Sequence, residues 1–115
     1  MKTMITLFAC LLSAFAQAGV QSESDNKLYI QWIETGWEDN GFVINFDRQI
    51  TYNGTDPGCE WPQGVFASMS SNMMDQMLSI ALAAQMAQKP VKVYVDDNCS
   101  GSRAKLISIQ ILTEE

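Results

Sequence analysis

Residues 70–99 read SSNMMDQMLSIALAAQMAQKPVKVYVDDNC, and this stretch decides the fold. From Ser71 onward apolar residues recur at helical spacing until Pro90 stops the pattern. Ser70 or Ser71 is placed to cap the helix, with Asp75 in its first turn against the dipole and Lys89 near its negative end. On a helical wheel Asn72, Asp75, Gln76 and Ser79 gather on one side. Met73, Met74, Met77, Leu78, Ile80, Ala81, Leu82 and Ala84 cover the rest. That apolar arc is roughly 200° wide, where a surface helix needs only about 100°. Such a rod is expected to bury more than one face: either a sheet wraps it, or its outer stripe meets another chain. Methionines 69, 73, 74, 77 and 86 lie on or near it and suit gap filling or a seam between subunits. Past the proline, VKVYV (91–95) alternates as a strand and leads to Cys99.

Working outward, the flanks read as β-structure. In KLYIQWIE (27–34), Leu28, Ile30 and Trp32 fall on one face, read as the core face, and Tyr29, Gln31 and Ile33 on the other. TGWEDNG (35–41) is a turn ending in the hairpin dipeptide Asn40-Gly41. Phe42, Ile44 and Phe46 then point inward, with Val43 and Asn45 outward. Residues 27–34 and 42–50 are thus expected to form an antiparallel hairpin. YNGTDPG (52–58) is a loop, GVFAS (64–68) a third strand, and LISIQIL (106–112) the last. The order β-β-β-α-β-β gives an α+β, mainly β domain: a small five-stranded antiparallel barrel or curved sheet packed on one helix.

The first 18 residues are not expected in the mature protein. Lys2 supplies a positive start, residues 3–15 are almost wholly apolar, and Ala16-Gln17-Ala18 has the small residues that signal peptidase accepts. The apolar run is shorter than the roughly 20 residues a membrane span needs. Cys10 sits too deep in that run for lipoprotein processing. The reading is a signal peptide at 1–18 and a single domain at 19–115, exported to the periplasm or beyond, with no membrane span in the mature chain. Loss of Lys2 takes the formal charge below the −6 of the full chain. The chain is acidic and has no basic cluster, so nucleic acid is excluded as a partner.

Cysteines 59 and 99 remain after cleavage, and an even pair in an exported protein is expected to form a disulfide. The alternative, a pair of metal-ligand thiolates, lacks the other ligands and the CxxC spacing. The chain has no histidine, which removes the commonest general base and the usual nucleophilic triads. Glu38-Asp39 and Asp96-Asp97 remain as carboxylate pairs, each in a turn where acids are normally solvated. No enzyme, metal or cofactor is therefore expected, and a small hydrolase using Asp96 or Asp97 is the weakest alternative. Trp37 lies in a turn among acids and Gly, and Trp61 precedes a proline beside Cys59. Exposed rings next to Asn, Asp and Glu make a surface on which a sugar can stack and hydrogen-bond. Trp37, Glu38, Asp39, Asn40, Tyr52, Asn53 and Trp61 are the candidate ligand-binding residues on that basis. The plainer alternative is that Trp61 covers the disulfide and Trp37 caps the barrel end.

The run LAAQMAQKPVKVYVDDNC (82–99), following a signal peptide and three strands, resembles a group of small exported bacterial proteins. That group is similar in layout to the B subunit of the AB5 subtilase cytotoxin, a ring-forming glycan binder. The resemblance implies an OB-like barrel and a ring with helices facing a central pore. It implies a glycan or protein partner and a homo-oligomer. It places no particular glycan-contacting residue on this chain.

Overall fold

A computed structural model describes residues 19–36 and 41–113. Among these, the strands are β1 (Val20–Gln21), β2 (Ile30–Thr35), β3 (Gly41–Phe46), β4 (Gly64–Ser68), β5 (Val91–Ser100) and β6 (Arg103–Ile111). One helix, α1 (Ser71–Ala87), lies between β4 and β5. The strands form a single sheet in the order β1-β5-β6-β4-β3-β2.

The architecture is α+β and mainly β, with β2 and β3 paired as the expected hairpin. Three details correct the five-stranded antiparallel barrel. A sixth strand exists, because Val20 and Gln21 pair with Val95 and Tyr94. Two residues in a polar lead-in carry no period to read. The sheet is mixed, because β6 runs parallel to β4, with Val65 opposite Ala104 and Phe66 opposite Lys105. After the helix the chain lays down β5 and turns back, so β6 arrives beside β4 in the same direction. Finally, the sheet does not close. Leu28 and Val91 make one isolated bridge, with the Val91 N–H donating to the Leu28 carbonyl at 2.8 Å.

The β2 alternation breaks at a β-bulge. Ile30 pairs with Phe46 but Trp32 pairs with Asn45, so Gln31 and Trp32 together oppose one residue of β3. The extra residue turns Trp32 outward, where it is 36% exposed, and brings Ile33 in against the core. The expected core position of Trp32 is corrected by this insertion. A second register shift does the same to β6. Tyr94 pairs with Ser108 and Val95 with Leu106, so Leu106 and Ile109 are buried while Ile107 faces out.

The core collects Phe42, Ile44 and Phe46 from β3, the valines of β5, and Val65, Ala67, Ala104 and Leu106 from the middle strands. Each large side chain so buried contributes about 1.5–3 kcal/mol. From α1 only Met77, Ala81 and Ala84 are fully buried, a single narrow stripe. Met74 and Leu78 are half-buried beside it, whereas Met73, Ile80, Leu82 and Met86 are exposed. The sheet therefore does not wrap the helix. Small alanines let the rod lie close to the sheet on one side, and its larger side chains are left outside.

The helix ends differ from expectation too. Ser70 is the N-cap but its side chain makes no cap bond, and Asp75 falls beyond the first turn. At the other end Gln88 takes the left-handed conformation, φ 56° and ψ 44°. Its N–H donates to the Gln85 carbonyl and that of Lys89 to the Ala84 carbonyl, a Schellman closure just before Pro90. A side chain in that conformation costs roughly 1–2 kcal/mol, which glycine avoids. Gln88→Gly is therefore expected to raise stability by about 1 kcal/mol, read as a higher urea midpoint at unchanged slope.

Candidate functional site

The bulge sets out a row of side chains on the outer face of the sheet. Trp32 lies opposite Asn45, and Asn45 opposite Gly64. Arg103 comes next, since a Cβ on Gly64 would stand 3.2 Å from its Nε. That same Cβ would meet the Ile44 carbonyl at 2.9 Å and Asn45 Oδ1 at 3.4 Å. Only a glycine leaves room for the arginine to lie across β4.

Asn45 is the centre of the row. It is 3% exposed, on a strand whose other residues are all apolar or Gly. Its Nδ2 donates to Gln31 Oε1 at 2.9 Å and to the Phe46 carbonyl at 3.2 Å. Its Oδ1 accepts from Trp61 Nε1 at 2.9 Å. These three bonds leave the amide one orientation and make it the hinge between Gln31 and Trp61. A buried amide without such partners would be costly, so the network also holds this part of the sheet in register.

Trp61 is held at three points. Its main-chain N–H donates to the Ser102 carbonyl at 2.7 Å, its indole N–H to Asn45, and its ring lies 5.3 Å from the Arg103 guanidinium carbon. Two residues before it, Cys59 is joined to Cys99, with Cα atoms 5.7 Å apart across a separation of 40 residues. The expected disulfide is thus present, and it ties the Trp61 segment to the far end of β5. Trp61 remains 43% exposed, so one ring face is open to solvent while the other covers Arg103. The Arg103 Nε N–H is buried there without an acceptor among the described residues.

Of the candidates read from the sequence, Trp61 joins this row. Trp37, Glu38, Asp39 and Asn40 lie outside the described residues. Tyr52 and Asn53 belong elsewhere: Tyr52 bridges Ser22 and packs half-buried against the core, and the Asn53 N–H donates to the Gln21 carbonyl. Both run beside β1 and share no partner with Trp61. Asp96 and Asp97 are exposed or nearly so, and the hydrogen bond between them holds Asp96 below, and Asp97 above, the usual carboxylate range. Among the described residues no group of three or more Cys, Asp or Glu is placed to hold a metal.

The sequence reading missed Gln31, Trp32, Asn45 and Arg103. The one usable signal was the amide of Asn45 inside an apolar strand. A hollow of about 490 Å³ lies between Tyr29, Ile30 and Gln31 on one side and Ala84, Gln85 and Gln88 on the other. There Gln85 Nε2 donates to the Gln31 carbonyl at 3.3 Å. Gln31 thus faces the row with its side chain and the helix with its backbone.

Burial pushes the Tyr52 phenol above its ordinary value, with the charge of Asp56 adding to the shift. A group raised on folding stabilises fully below its unfolded pKa, near 10, and loses that contribution as pH rises past it. Stability is therefore expected to fall above pH ~10 in the wild type and to fall less steeply in Tyr52→Phe, measured by urea unfolding across that range.

No protein-family model matches this chain, and no curated protein is detectably similar to it.

Proposed function

We propose that the chain is an exported, non-catalytic binding module of OB-like build that uses the outer sheet face to hold a glycan. The row Trp32–Asn45–Trp61–Arg103 carries this reading. It offers two exposed indole rings on either side of a fixed amide, beside a guanidinium, which suits a pyranose stacked on a ring and bonded through its hydroxyls. The OB-like reading is supported by the order β2-β3-β4-β6-β5, by the helix between β4 and β5, and by the parallel β4–β6 pair. The Leu28–Val91 bridge falls where such a barrel would close. In OB-folds the second and third strands and their neighbouring loops take oligosaccharides or oligonucleotides. Here those strands are β3 and β4. Export, with cleavage after Ala18, is supported by the disulfide, a bond of oxidising compartments. Among the described residues no helix is long and apolar enough to cross a membrane.

A second reading is a structural or accessory envelope protein that contacts another protein. It draws on Met73, Ile80, Leu82 and Met86, left exposed on α1, which equally support a ring of copies like that of the AB5 B subunit.

The test is a glycan array with wild type, Trp32→Ala and Trp61→Ala. Binding is expected for the wild type and is expected to drop at least tenfold in both variants. A wild type that binds no sugar at high concentration removes the glycan reading. A light-scattering mass equal to one chain removes the ring.

A further inference from the structure

We propose that the Cys59–Cys99 disulfide is a redox latch on the Trp61 platform, so that a dithiol reductant releases the ring while the sheet stays folded. The inference rests on the reading of this face as the binding surface. Its first readout does not.

The latch follows from where the bridge lies. Cys59 is only half-buried against the core and Cys99 is exposed, and neither belongs to the fully buried cluster. That cluster is closed by β-ladders and by the stripe of α1; Cys99 pairs with Ala104 near the end of the β5–β6 ladder, whereas Cys59 belongs to no strand. What the bridge holds is the approach to Trp61. After Asn53, whose N–H donates to Gln21, the next main-chain tie to another element is the Trp61 N–H to Ser102. Between them stands the disulfide. Downstream the chain is secured independently, since Ile50 donates to the Pro62 carbonyl at 3.0 Å and Phe46 to the Gln63 carbonyl at 2.8 Å. Opening the bridge therefore frees residues 54–60, and leaves Trp61 held on its N-terminal side by its own two hydrogen bonds. The main-chain bond ends on half-buried Ser102 and the indole bond on the buried Asn45, while Trp61 itself is 43% exposed.

The chemistry balances with an external dithiol of the thioredoxin type. A thiolate of the reductant attacks the exposed Cys99 sulfur, and Cys59 leaves as a thiolate and takes up a proton. The second thiol of the reductant then displaces Cys99, which is protonated in turn. The reductant ends as a disulfide and the protein with two thiols.

The indole N–H cross-peaks of the three tryptophans report the latch, with Trp61 assigned from Trp61→Phe. Signals of Val93 and Ala81 report the core. With dithiothreitol, and both thiols counted as reduced, the Trp61 peak is expected to move to the position it takes in Asn45→Ala. The core signals are expected to stay, and reoxidation to restore the first spectrum. An unmoved Trp61 peak in the reduced protein overturns the latch. So does loss of the core signals at the same dithiothreitol concentration, which would make the bridge a staple for the whole domain. A moved peak in a protein that binds no glycan leaves the latch standing and removes the ligand reading instead.

Discussion

Replacing both cysteines, Cys59→Ser with Cys99→Ser, is expected to lower the free energy of unfolding by about 4 kcal/mol. The bridge closes a loop of 40 residues. In the chain-entropy account the intact bridge denies the unfolded chain the freedom of that loop, and its native geometry is not the source of the gain. For a domain of this size the loss corresponds to a fall in melting temperature of about 20 °C. Scanning calorimetry of the oxidised protein and the double variant checks it. The folded form should survive at room temperature, because small domains carry about 5–15 kcal/mol in total. A shift below about 5 °C would mean that the unfolded chain is already confined near residues 59 and 99, or that the bridge strains the fold.

The second large effect is expected at Phe46. Its ring is fully buried in the cluster, and its residue is the last of β3, opposite Ile30. Phe46→Ala removes that ring and leaves a cavity that stiff strands on either side cannot fill, at a cost of about 3–5 kcal/mol. Trp32→Ala, at the neighbouring pair, is expected to cost no more than about 1 kcal/mol, because the bulge has put that ring on the wet side. The two urea midpoints decide the register of β2. Equal losses would mean that strict alternation continues through Gln31 and that Trp32 is a core residue after all.

That contrast shows what the sequence carries and what it does not. The hairpin of β2 and β3, the helix stop at Pro90, the alternation of β5 and the partnership of Cys59 and Cys99 are local or count-based signals, and all were legible. The bulge was not, because nothing in KLYIQWIE marks which residue will be skipped; Phe46 and Asn45 across the ladder decide it. The parallel β4–β6 pair depends on where the chain lands after the crossover. The helix was read as needing cover on most sides, because periodicity counts methionine and alanine alike. The sheet takes only the alanine-rich stripe. The proposed binding row was the least legible. Gln31, Asn45, Trp61 and Arg103 are distant in sequence; the hydrogen bonds that join the first three span 14 and 16 residues, and Arg103 meets the row through the Trp61 ring. Of these only Trp61 stood out from composition.

The doubled pair Gln31–Trp32 bears on one more property. With β2 at one margin of a sheet that does not close, no other strand among the described residues pairs with its outer side. A flat margin of this kind templates fibrils. The kink at Gln31 twists the strand out of plane, and Glu34 further along adds a charge to the same margin. Deleting Gln31 would straighten the margin, and aggregation during concentration or storage is where the change would first be seen.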